Sequence, residues 1–105
     1  MACRSFGCIM AIVNKEQILE AIEPFKRSAH FSHTHFARGF DFEMLIAFKI
    51  GIPARKTLSF VISHHDGDTA AHVSPFVNGK MKEIVTVSSK KKLYDYCLRW
   101  LEKLE

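Results

Sequence analysis

A strict alternation of apolar side chains with other residues begins at Phe42, and it is the strongest constraint on the fold of this chain. A period of two predicts β-strands that bury one face. The first run ends at Gly51-Ile52-Pro53, which we interpret as a turn, and a second run follows it. The apolar positions of the two runs are Phe42, Met44, Ile46, Phe48 and Ile50, and then Leu58, Phe60 and Ile62. Two consecutive strands with one apolar face each predict an antiparallel pair over a hydrophobic core.

Two further strands are predicted downstream of this pair. Residues 72–77 contain Pro75, whose missing N–H favours an edge strand or a short strand. Asn78-Gly79 is typical of a two-residue type I′ hairpin turn, because both residues tolerate positive φ. Residues 80–87 are then predicted to form the last strand.

A helix is predicted ahead of the strands. Asn14, with Gln17 three residues later, has the spacing of a capping box at a helix start. Pro24 cannot continue the hydrogen-bond ladder, so we expect a break near Glu23. Residues 25–40 mix Lys, Arg, His, Ser and Phe without a clean period, and we interpret them as a loop that accommodates one more helical turn.

A second helix is predicted at the end of the chain. It begins at Ser88 or Ser89, both of which are good N-caps. Its apolar residues recur at helical spacing on one face and are Leu93, Cys97, Trp100, Leu101 and Leu104. Cys97 on this stripe is expected to be a small buried hydrophobe rather than a reactive thiol.

The predicted fold class is therefore α+β. We expect an N-terminal helix, an antiparallel meander of three to four strands and a C-terminal helix, with both helices packed on one face of the sheet. A chain of 105 residues fits one domain with one core. We assign residues 14–105 to that domain and residues 1–13 to an N-terminal extension whose order the sequence leaves open.

Composition favours a soluble cytoplasmic protein without a cofactor. No apolar run approaches the about 20 residues that a membrane-spanning helix needs, so no membrane contact is expected. The three cysteines are an odd number without a Cys-x-x-Cys pair, which is typical of a reducing compartment. The sequence carries no specific catalytic signature, and a non-enzymatic function is favoured.

The net charge of +4 is concentrated in one segment. Residues 80–92 hold five lysines and one glutamate, whereas the rest of the chain is neutral. Lys90, Lys91 and Lys92 fall in the predicted first turn of the last helix. Each cation there costs about 0.3–1 kcal/mol, because the helix dipole is positive at that end.

Residues whose placement is locally unfavourable, such as these lysines at the positive end of a helix dipole, are typical of functional sites. Backbone N–H groups at a helix start bind phosphate, and neighbouring lysines add to that site. We therefore predict a phosphate-binding surface made by Lys90, Lys91 and Lys92, extended by Lys80, Lys82, Arg55 and Lys56. The alternative interpretation is a solvated run that keeps the protein soluble.

The C-terminal quarter also resembles a known family. Asn78-Gly79-Lys80, Ser88-Ser89-Lys90-Lys91-Lys92 and residues 100–104 resemble the end of a double-stranded-RNA-binding domain. The same stretch is similar to the Alu-RNA-binding subunits of the signal recognition particle, where a Val-Ser-Ser-Lys sequence opens the last helix. The resemblance implies a helix, three strands and a helix in that order, and a phosphate-holding role for Lys90, Lys91 and Lys92. Tyr94, Tyr96 and Cys97 stand where the double-stranded-RNA-binding family has small residues.

We therefore predict a small nucleic-acid-binding domain, with RNA as the favoured ligand. A protein-interaction or inhibitor module is the alternative, in which Leu45, Ala47 and Val61 on the exposed sheet face contact a protein partner or a second copy.

A third interpretation is a metal-dependent hydrolase. It uses His33 and His35, which point the same way on an extended segment, with His64, His65 and Asp66 as further candidate ligands. No zinc-finger spacing supports it, and loop histidines are more often structural.

Overall fold

The computed structural model describes residues 14–37, 42–51, 55–65 and 67–105. The elements in chain order are helix α1 (Lys15–Ile22), a short 3₁₀ helix (Glu23–Arg27), strands β1 (Phe31–Phe36), β2 (Phe42–Ile50), β3 (Lys56–His64), β4 (Ala71–Val77), β5 (Lys80–Met81) and β6 (Val85–Val87), and helix α2 (Lys90–Leu104). The predicted α+β class is confirmed. The proposed extension, residues 1–13, lies outside the described residues.

The start and end of α1 follow from two side chains. The Gln17 N–H donates to Asn14 Oδ1 at 3.1 Å, as the capping spacing predicted. The α-helix ends at Ile22, and Pro24 lies in the first turn of the 3₁₀ helix, where a missing N–H costs little. The predicted break near Glu23 is therefore confirmed.

The segment interpreted as a loop contains a strand. After the 3₁₀ turn, β1 pairs antiparallel with β2, so the prediction of a loop over residues 25–40 was wrong for residues 31–36. The register shifts between Phe31 and His33, and this irregularity puts the apolar residues out of a strict period of two. An edge strand with a bulge has no clean alternation for sequence reasoning to detect.

Strands β2 and β3 form the regular centre of the sheet. They pair without interruption from Phe42 opposite His64 to Ile50 opposite Lys56. The predicted alternation is confirmed, because Met44, Ile46 and Phe48 are each 1% exposed. Paired residues share a face of the sheet, so the alternate residues of both strands form the opposite face. No helix of the described residues packs on that face, which we call the uncovered face.

Strand β4 lies inside the sheet and not at its edge. It pairs with β3 on one side and with both β5 and β6 on the other. Pro75 is tolerated because neither β5 nor β6 includes a residue opposite it on that second side. Its carbonyl there accepts a hydrogen bond from the Lys82 N–H at 2.8 Å. A residue's N–H and C=O point to the same side of a strand, so the missing donor faces the gap between β5 and β6.

The hairpin after β4 has the predicted turn and a shorter strand than predicted. Asn78 and Gly79 have φ values of 53° and 83°, the positive values that a type I′ turn needs. The predicted strand 80–87 is split into β5 and β6, and residues 82–84 between them belong to no strand.

One hydrophobic core joins both helices to the inner face of the sheet. Its members include Ile18 and Ile22 of α1, Leu93 of α2 and Leu58 and Phe60 of β3, all fully buried. Cys97 is 1% exposed, which confirms its predicted burial. Neither helix of the described residues has the length and apolar character needed to cross a membrane.

Candidate nucleic-acid interface

The first turn of α2 is built as the sequence predicted. Ser89 is the N-cap, and its Oγ accepts a hydrogen bond from the Lys92 N–H at 3.2 Å. The first helical bond follows, from the Leu93 N–H to the Ser89 carbonyl at 3.0 Å. Three lysines and no acidic residue occupy this turn. We call Lys90, Lys91 and Lys92 the α2 lysine cluster.

Two lysines of the cluster are paired with carboxylates of the same chain. Lys90 Nζ lies 2.9 Å from Glu20 Oε1 on α1, and Lys91 Nζ lies 2.9 Å from Asp95 Oδ2 one turn along α2. Both pairs are solvent-exposed, and exposed pairs contribute about 0–1 kcal/mol each. A phosphate oxygen can therefore replace either carboxylate at low cost.

Lys92 is the cation of the cluster without a carboxylate partner among the described residues. Its Nζ donates to Ser88 Oγ at 3.3 Å, a contact between exposed side chains. This lysine carries the full unfavourable interaction with the helix dipole. An anion placed here would offset that interaction.

The other predicted basic residues do not extend this cluster. Lys80 opens β5 opposite Val77, whereas the strand before α2 pairs with the opposite end of β4, Val87 opposite Ala71. Val77 and Ala71 are six residues apart along β4, which corresponds to about 20 Å at a rise of about 3.3 Å per residue. Apart from Lys82, the predicted residues therefore fall into two groups at opposite ends of the sheet.

The second group gathers around the β4–β5 turn, and we call Arg55, Lys56 and Lys80 the hairpin basic group. Asn78 joins the turn to β3 through two hydrogen bonds with Thr57, its Oδ1 accepting from the Thr57 N–H at 2.9 Å and its N–H donating to the Thr57 carbonyl at 2.9 Å. Lys82 lies beyond this turn, held by its backbone bond to Pro75. Local sequence offers no signal for this division, because it depends on the split between β5 and β6.

The two histidine groups are also separated. His33 and His35 lie exposed on β1, whereas His64 ends β3, with β2 between the two strands, and His72 lies on β4. His64 is buried, and its Nε2 lies 2.9 Å from the Asp68 carbonyl oxygen. The His65 and His72 rings meet edge to face with centroids 5.9 Å apart.

The candidate ligands that the structure describes do not assemble a metal centre within one chain. Across the described ranges, no group of three or more His, Cys, Asp or Glu side chains is placed to hold a metal ion. Asp66, the remaining candidate ligand, lies outside the described residues.

The uncovered face of the sheet carries the residues of the alternative interpretation. Leu45 pairs with Val61, and Ala47 pairs with Ser59, all on the side away from the helices. The same face continues through Phe76 on β4 to Met81 on β5. Met81 is 52% exposed, so sequence reasoning missed an apolar part of this face.

A groove between α2 and the segment after β5 is lined by Glu83, Tyr96, Arg99, Trp100 and Lys103. The Tyr96 hydroxyl donates to the Glu83 carboxylate. Burial, and next the hydrogen bond to Glu83, raise the pKa of the Tyr96 phenol. Burial likewise raises the pKa of the Cys97 thiol, which makes this residue a poor nucleophile.

No protein-family model, no curated protein and no solved structure matches this chain.

Proposed function

We propose that this chain is a small nucleic-acid-binding domain that holds phosphates at the first turn of α2. One observation carries the proposal: a helix start with a side-chain N-cap, three lysines and no acidic residue. The N–H groups of a first helical turn lack intrahelical partners and attract anions. A run of phosphates satisfies those groups and removes the repulsion that the lysines cause.

RNA is the favoured ligand because the C-terminal part of the chain resembles RNA-binding domains. The hairpin basic group contacts phosphates of the same ligand about 20 Å away, the distance set by six residue steps along β4 at about 3.3 Å each. A ligand that reaches both groups spans several base pairs, so a short duplex suits this arrangement better than a mononucleotide.

The test compares a triple variant with a charge-matched control. Lys90→Gln, Lys91→Gln and Lys92→Gln together remove the cluster, whereas Lys15→Gln, Lys26→Gln and Lys103→Gln remove the same charge elsewhere on the helices. Affinity for a short RNA duplex and for a DNA duplex is measured by fluorescence anisotropy over a salt series. We expect the cluster variant to lose affinity and the slope of log K against log salt to fall by about 2–3, at about 0.7–0.9 per phosphate contact.

Equal affinities and salt slopes for the wild type, the cluster variant and the control would exclude the proposal. If the control loses as much affinity as the cluster variant, binding is a general effect of net charge and not a property of the α2 lysine cluster.

The uncovered sheet face favours a second candidate, a protein-interaction module. Leu45, Val61 and Met81 give this face an apolar strip, and the helices that the structure describes cover only the other side. Under this alternative, Leu45→Arg with Val61→Arg abolishes partner binding or self-association in light scattering, while the cluster variant leaves both unchanged. Nucleic-acid binding that survives the arginine variant argues for the first candidate.

A further inference from the structure

Strand β1 is the terminal strand of the sheet. In the part of the chain that the structure describes, it pairs only with β2. Edge strands are usually protected by lysine, proline or a β-bulge. Strand β1 contains neither lysine nor proline, and its irregularity lies at its start, between Phe31 and His33, so that residues 33–36 are regular. Phe36 at its end is 50% exposed. An edge of this kind is a template for pairing with another strand.

The hydrogen bonds of β1 show which residues face outward. The Ala37 N–H donates to the Glu43 carbonyl at 3.0 Å, so residues 37 and 43 form a hydrogen-bonded pair. Hydrogen-bonded and non-hydrogen-bonded pairs alternate along an antiparallel ladder. Thr34 opposite Ile46 and Phe36 opposite Met44 are therefore non-hydrogen-bonded pairs. The N–H and C=O groups of Thr34 and Phe36 point away from β2.

We propose that two copies of this chain pair through β1, antiparallel about a two-fold axis at Thr34, and that His33 and His35 of both copies then bind a divalent metal ion. A two-fold axis in an antiparallel pair passes through either a hydrogen-bonded or a non-hydrogen-bonded pair, and an outward-facing residue such as Thr34 forms a hydrogen-bonded one. An axis at Thr34 gives the longest overlap over residues 31–37. In this register Thr34 exchanges two hydrogen bonds with Thr34 of the second copy.

The same register places His33 opposite His35 of the second copy, twice. These are non-hydrogen-bonded pairs, in which opposite Cα atoms lie about 4.5 Å apart and side chains are closest. His33 and His35 pair with Ala47 and Leu45, so all four rings stand on the uncovered face of the sheet. Both histidines are solvent-exposed.

Four imidazoles form a ligand set for Zn²⁺, Ni²⁺ or Cu²⁺. His33 Nδ1 lies 3.0 Å from Ser32 Oγ, which leaves Nε2 as the ring nitrogen for the metal. One chain supplies two of the four ligands, so the site is incomplete without a second copy. This inference does not depend on nucleic-acid binding.

The test is the oligomeric state of untagged protein, measured by sedimentation velocity in EDTA and in a ZnCl₂ titration. We expect Zn²⁺ to convert monomer to dimer with one ion per two chains. His33→Gln with His35→Gln removes the response to Zn²⁺. Thr34→Pro removes the outward N–H without touching the bonds to β2 and prevents dimerisation with or without metal. His72→Gln, on the same face but on β4, is the matched control and keeps the wild-type response.

A chain that stays monomeric at saturating ZnCl₂ overturns the proposal. A Zn²⁺-dependent dimer that persists in the double histidine variant or in Thr34→Pro overturns it as well. Amide exchange provides an independent readout, because the Thr34 amide becomes protected only when β1 pairs with a second copy.

Discussion

Replacing Lys92 with Glu is expected to stabilise the protein while it weakens nucleic-acid binding. Lys92 is the third residue of α2 and has no carboxylate partner among the described residues, so the helix dipole acts on it without compensation. Removing the cation gains about 0.3–1 kcal/mol, and placing a carboxylate there gains a similar amount. The exposed contact to Ser88 is lost, at a cost of about 0.5 kcal/mol. The net gain in the free energy of unfolding is about 1 kcal/mol.

For a domain of this size, about 1 kcal/mol corresponds to a rise in Tm of about 4–8 °C. The assay is thermal unfolding followed by circular dichroism, at low salt and at about 1 M salt, where the Debye length falls to about 3 Å. Lys92→Gln has only the first of these gains and loses the same contact, so it is expected to give about a quarter of the gain at low salt. Both gains should shrink at high salt.

Lys103→Glu is the matched control. It makes the same charge change on the same helix, but in the last turn, where a cation is favourable. Lys103 Nζ also lies 4.7 Å from the centroid of the Trp100 ring, a contact that the substitution removes. We expect a loss of stability there. A Lys92→Glu protein with an unchanged or lower Tm would refute the dipole argument, as would a gain that high salt leaves intact.

Three further predictions concern the fold around the site. Ser89→Ala removes the N-cap of α2 and should lower the free energy of unfolding by about 1 kcal/mol in urea denaturation, whereas the same change at Ser88 should have a smaller effect. Because the pKa of Tyr96 is raised in the folded state, its contribution to stability is complete below about pH 10 and is lost at higher pH. Urea denaturation across alkaline pH should therefore show a loss of stability above about pH 10 in the wild type and a smaller loss in Tyr96→Phe. Burial keeps the Cys97 thiol protonated and inaccessible, so Cys97 should resist a thiol reagent in the native state and react after unfolding. The assay uses a variant in which Cys3 and Cys8 are replaced by serine.

The centre of the fold was predictable because its signals are local. The alternation in β2 and β3, the Asn14 and Ser89 caps and the Asn78-Gly79 turn each depend on residues a few positions apart. Strand β1 was missed because the bulge near Ser32 disrupts its alternation. The interior position of Pro75 depends on a gap between two other strands, which no local pattern encodes.

The contacts of the α2 lysine cluster were also only partly predictable from local sequence. The Lys91–Asp95 pair has i,i+4 spacing and is visible in the sequence, whereas Lys90 and Glu20 are 70 residues apart and meet only through the packing of α2 on α1. The separation of Lys80 from Lys90 likewise follows from the topology of the sheet and could not be predicted from local sequence.

The most direct measurement of the central claim is the change in backbone amide chemical shifts when a short RNA duplex is titrated into ¹⁵N-labelled protein. If phosphates bind at the start of α2, the largest shifts fall on the amides of Ser89, Lys90, Lys91 and Lys92, with smaller ones around the hairpin basic group. If the largest shifts fall on Leu45 and Val61, or if no amide moves at saturating RNA, the start of α2 is not the phosphate site.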